Sequence, residues 1–161
     1  MSDLEFLKQV NETIETNKED MISSLSHLLQ IPSVAVETPE EYPFGENVQK
    51  AYDVMLDMAR EEDFAVYNAD NYGGHIDFTG KGEGIVGVVG HLDVVPEGDG
   101  WSFDPYGGEV KDGWICGRGT TDDKGPVIAS FYGMKALKAC GYEPKKTIRL
   151  ILGLDEQTNW H

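Results

Sequence analysis

Cysteine is scarce in this sequence, with only Cys116 and Cys140 among 161 residues. They have no CxxC spacing and cannot build a framework of several bridges, so two free thiols in a reducing cytosol are expected. Long apolar runs are missing too. No stretch approaches the roughly 20 apolar residues of a membrane span. The start, Met-Ser-Asp-Leu-Glu, is acidic and lacks a basic segment followed by an apolar one, so no secretory signal is expected. Basic residues are few: 13 Lys and Arg stand against 29 Asp and Glu, a net charge of −16. Such a field repels phosphate backbones and anionic lipid heads, which argues against nucleic-acid and membrane partners. A cytoplasmic setting follows as the expectation.

What is present suits one globular domain. Leu4, Leu7, Val10 and Ile14, then Met21, Ile22, Leu25, Leu28 and Leu29, recur at helical spacing. They predict one long helix or two joined pieces ending by Gln30. Three prolines make 31–47 a loop. Val48, Ala51, Tyr52, Met55, Leu56 and Ala59 share the face of a further helix. Residues 64–67 and 75–78 are candidate hairpin strands. His27 is a lone helical histidine, a type more often in a core or on a surface than a ligand, and His75 has no ligand-like neighbour, so neither is read as a ligand.

The β-branched, Gly-bounded run 85–90 and the run 147–154 each read as a buried strand. Between them, 126–140 reads as a helix, with Pro126 in its first turn and Gly141 after its end. Strand, helical crossover and strand are the grammar of an α/β layer. The expected fold class is therefore α/β, with a mixed, largely parallel sheet flanked by helices.

Three polar clusters lie where these elements begin or end. His91 and Asp93 follow the first strand, two residues apart and so able to address one site. Imidazole is a good zinc or manganese ligand, and a nearby carboxylate can hold its ring. Asp122 and Asp123 follow the glycine-rich 117–119 stretch and open the helix, where simple capping explains one Asp but not two. Asp155, Glu156 and Gln157 end the second strand. Ligands of open α/β sheets gather beyond the carboxyl ends of strands. The convergence suggests metal-assisted hydrolysis, with a Glu removing a proton from water.

These residues resemble a known family. Gly90-His-Leu-Asp-Val-Val-Pro96, with Gly98-Asp-Gly-Trp101 and Asp104-Pro105, is similar to the first metal-site signature of the M20 metallopeptidases. Gly117-Arg-Gly-Thr-Thr-Asp-Asp-Lys-Gly-Pro126 resembles their second signature, and Ile151-Leu-Gly-Leu-Asp-Glu-Gln-Thr-Asn-Trp160 their third. The Asp-Asp-Lys-Gly-Pro form and the Asn-Trp ending point to the PepV-like dipeptidase branch.

The resemblance implies two zinc ions per complete site, with manganese or cobalt as substitutes, and a dipeptide as substrate. It implies that His91 binds metal, Asp93 orients His91, Asp122 bridges two ions and Glu156 is the general base. Gln157 departs from the pattern: an acidic second-metal ligand is expected there, and an amide brings no charge. The resemblance also implies that residues 1–161 are an incomplete catalytic domain of the zinc-peptidase type. A further carboxylate, a late histidine (which His161 does not match) and a lid or dimerisation domain would then be missing. The last strand is expected to expose apolar surface, and an oligomer is compatible with this. An N-acyl amino-acid deacylase of the same family and a truncated, non-catalytic homologue are the alternatives.

Overall fold

The computed structural model of the chain describes residues 2–36 and 42–158. The Asn-Trp ending and His161 lie outside the described residues, as does part of the 31–47 loop. Helix α1 (Asp3–Thr16) starts at a capping box, in which the Ser2 hydroxyl accepts from the Glu5 N–H and the Glu5 carboxylate accepts from the Ser2 N–H. Helix α2 (Lys18–Leu29) follows after Asn17 alone, so the long apolar pattern is two joined pieces. Helix α3 spans Glu46–Glu61 and buries the face read from the sequence: Val48, Ala51, Tyr52, Met55, Leu56 and Ala59.

The hairpin of β1 (Ala65–Asn68) and β2 (Gly73–Phe78) is antiparallel. Strand β3 (Ile85–His91) leads into a long loop that carries a small antiparallel hairpin, β4 (Glu109–Lys111) and β5 (Trp114–Cys116). Helix α4 (Lys124–Ala139) then crosses over to β6 (Thr147–Gly153). The main sheet has the order β1-β2-β6-β3.

The expectation of a largely parallel sheet is wrong. Only β3 and β6 pair in parallel, whereas β1–β2 and β2–β6 are antiparallel. The reason lies in the connection from β2 to β3. Six residues, 79–84, separate these strands, far fewer than the dozen or more a parallel crossover needs. The chain reverses there, and β6 inserts between the two.

One sheet face, carrying Ile76, Leu150 and Leu152, packs under α2, α3 and α4, with Leu28, Met55, Ile128 and Phe131 in the same core. Burying each such side chain contributes about 1.5–3 kcal/mol. The run 85–90, read as buried, instead forms an edge: Ile85, Val86, Val88 and Val89 are exposed. Among the described residues β3 pairs only with β6. Bare apolar surface thus falls on β3, not on the last strand.

Candidate functional site

The carboxyl ends of β3 and β6 and the start of α4 meet at one point, because β3 and β6 are paired in register from Ile85↔Thr147 to His91↔Gly153. His91, the last residue of β3, is buried. Its Nδ1 lies 3.0 Å from the Asp93 carbonyl oxygen and 3.3 Å from Asp93 Oδ1. Its Nε2 lies 3.0 Å from Asp122 Oδ1 and 3.5 Å from Glu156 Oε2. The Gln157 amide donates from Nε2 to Asp122 Oδ2 at 3.0 Å.

Asp93 is fully buried, at 0% exposure. Its carboxylate accepts from the backbone N–H of Glu156 at 3.1 Å and of Gln157 at 2.8 Å. It therefore links the first cluster to the third. Burial pushes this carboxyl up, but hydrogen bonds from His91, Gln157 and Glu156 outweigh burial and hold it below the ordinary value. Burial likewise opposes the His91 imidazolium. Hydrogen bonds to Asp93 and Asp122, with the charge of Asp93, overcome it and raise His91 to about 9.

The other side of the site is open. The Asp122 side chain is 69% exposed and that of Glu156 35%. The Asp122–Asp123 peptide is cis. Asp123 stands at the N-cap of α4 but makes no capping hydrogen bond. Its Oδ2 instead accepts from the His91 backbone N–H at 3.2 Å. Simple capping therefore does not explain the pair of aspartates. Burial raises Asp123, His91 opposes the shift, and the charges of Asp122 and Glu156 add to it. Gly90 permits the close approach: a Cβ there would lie 2.6 Å from Val127 Cγ2 and 2.7 Å from Asp123 Oδ2.

The rest of the first signature clasps the second. The Arg118 N–H donates to the Pro105 carbonyl at 2.7 Å, and the Arg118 guanidinium lies 5.2 Å from the Trp101 ring centroid. Lys124 is a functional-site neighbour to which sequence reasoning gave no role. It is fully buried, and its Nζ donates to the carbonyls of Leu28 at 3.0 Å and Ile31 at 2.7 Å. Burial pushes it down to about 7. A lysine beside two aspartates looks like an ion-pair partner, and nothing in the sequence indicates that it reaches carbonyls instead.

Among the described residues, no group of three or more His, Cys, Asp or Glu side chains forms a metal cage. The donor chemistry of His91 Nε2 and Asp122 nevertheless suits zinc, and a carboxylate behind His91 Nδ1 is the usual partner of a metal-bound imidazole. The residues present fit as two donors of a site that usually takes three from protein. His27 is exposed on α2. His75 stacks on Tyr67 at 5.1 Å between centroids.

Residues 87–159 match Peptidase family M20/M25/M40. The chain is 41% identical over 152 residues to the Beta-Ala-Xaa dipeptidase of Lactobacillus delbrueckii subsp. lactis, covering 92% of this chain and 32% of that protein. The structure of human carnosine dipeptidase 1 superposes with a TM-score of 0.81 at 27% identity, covering 95% of this chain and 35% of that one. The dipeptidase Dug1p of Saccharomyces cerevisiae superposes at 0.80 with 23% identity, covering 94% and 35%, and shares the fold. The chain spans about a third of the length of the curated relatives it matches. The chain is homologous to part of bacterial dipeptidases and strongly resembles the M20-family metallo-dipeptidases. Among the described residues, no helix is long and apolar enough to cross a membrane.

Proposed function

We propose that this chain supplies part of the active site of an M20-type metallo-dipeptidase. The observation that carries the reading is the approach of Asp122 Oδ1 and Glu156 Oε2 to His91 Nε2, at 3.0 and 3.5 Å. His91 and Asp122 would hold zinc, with manganese or cobalt as substitutes. The ion would supply a Lewis acid, polarising the peptide carbonyl and making water more acidic. Asp93 keeps the His91 ring turned with Nε2 toward the open side. Glu156, half-exposed next to that nitrogen, takes a proton from the attacking water and delivers it to the leaving amine.

Gln157 stands where an acidic ligand is expected, and its amide donates to Asp122. The further donors and the lid domain that complete the site in this reading are not among the described residues. A dipeptide is the substrate we favour, because the relatives named above are dipeptidases. A cytoplasmic setting is supported by two free thiols.

Gln157 favours a second reading, a homologue that binds metal weakly and catalyses nothing. The test is a side-by-side assay of the protein at its full natural length on dipeptides and N-acyl amino acids, with zinc or manganese added. Dipeptide hydrolysis supports the first reading. Preference for the acyl substrate makes the protein a deacylase, and inactivity that Gln157→Glu does not repair favours the non-catalytic reading.

A further inference from the structure

The two halves of the site are braced from behind by a segment that belongs to none of the three signatures. Helix α2 ends at Leu29, and the last carbonyls of a helix lack partners within it. The Lys124 ammonium donates to the Leu28 carbonyl in that last turn and to the Ile31 carbonyl just beyond it. A cation is favoured at that helix end. No ion pair of Lys124 with a carboxylate occurs among the described residues, and Lys124 is fully buried two residues after Asp122. Two residues beyond Ile31, the same segment grips the other half. The Ser33 hydroxyl, fully buried, donates to the Leu92 carbonyl at 2.6 Å, and the Ser33 carbonyl accepts from the Val94 N–H at 2.9 Å. Val34 and Val94 form a parallel bridge. Asp93 is thus held on both flanks.

We propose that residues 28–34 are a brace that sets the spacing between the His91–Asp93 strand end and the Asp122 turn, and that Ser33 and Lys124 are its positioning residues. Neither touches the candidate metal donors. Ser33 acts through the backbone of Leu92 and Val94, and Lys124 through the chain leading back to Asp122. The geometric part of the proposal stands on the metal-free protein. Its consequence for metal affinity rests on the metallo-dipeptidase reading above.

The test uses the full-length protein with Ser33→Ala, Ser33→Thr and Lys124→Met, and Leu56→Val as a core change remote from the site. The metal-free readout is the pair of ring nitrogen signals of His91 by NMR, which report the contacts at Nδ1 and Nε2. The expected result is a shift in Ser33→Ala and Lys124→Met, recovery in Ser33→Thr, and none in Leu56→Val. Unchanged His91 signals in a folded Ser33→Ala overturn the brace even where Lys124→Met fails to fold. Zinc affinity by calorimetry is the second readout, with a loss of about tenfold expected in Ser33→Ala. Zinc binding that survives His91→Ala unchanged removes the metal reading, while the ring signals still decide the brace.

Discussion

The two sides of the candidate site differ in how they are held. His91 and Asp93 are buried, and Asp93 accepts from two backbone N–H groups as well as engaging His91. Asp122 and Glu156 face outward, with side chains 69% and 35% exposed. The buried side is part of the fold's own stability. The exposed side contributes little to folding and is free to meet a ligand. A substitution should therefore injure the fold on one side and the chemistry on the other.

The largest expected effect is at the buried side. Asp93→Ala removes the carboxylate beside His91 and leaves two N–H groups without their acceptor, and should destabilise the fold by about 3–5 kcal/mol, measured by urea unfolding. Asp122→Ala should change stability by less than about 0.5 kcal/mol while abolishing tight zinc binding. Equal losses of stability would break the comparison. Next comes Gly90→Ala, whose Cβ would crowd Val127 and Asp123. Overpacking of this kind costs about 1–3 kcal/mol, and the His91 ring signals should move with it.

A smaller effect is expected from Gln157→Glu, which replaces an amide donor to Asp122 with a second negative charge. Zinc affinity should rise about tenfold, or ~1.4 kcal/mol, while the metal-free protein becomes slightly less stable. Calorimetry and a thermal melt read the two opposite signs. The smallest effect serves as a control away from the site. Asp20 is held below its ordinary value of 3.8 by hydrogen bonds from Tyr132 and then Lys135. A depressed folded value contributes stability above the unfolded value and loses it as pH falls through the folded one. Asp20→Asn should thus cost under about 1 kcal/mol at pH 7, nothing in stronger acid, and leave zinc affinity unchanged.

Local elements were the legible part of this protein. Apolar spacing located α1 to α3, the boundary signals of Pro126 and Gly141 located α4, and β-branched runs located β3 and β6. The three polar clusters were visible because each follows a strand or opens a helix. Sheet order was not visible, since insertion of β6 between β2 and β3 is a long-range event that no window of sequence contains. The same gap hid the exposure of β3: a continuous apolar run shows that a strand wants neighbours, not which neighbours are present. The β4–β5 hairpin was missed although a signal existed. Asp112 and Gly113, both with positive φ, form its two-residue turn, and Asp-Gly is a strong hairpin dipeptide. The brace by Ser33 and Lys124 had no signal, because both side chains donate to backbone carbonyls, which every residue carries.

The central claim is that this chain's residues carry dipeptidase chemistry, and a chimera tests it most directly. In it, the chain replaces the matched third of the Lactobacillus Beta-Ala-Xaa dipeptidase. The account predicts zinc-dependent dipeptide hydrolysis that Glu156→Gln lowers by about 10²–10⁴-fold. A folded, zinc-loaded chimera that is inactive, or one that hydrolyses equally well with Glu156→Gln, would contradict it.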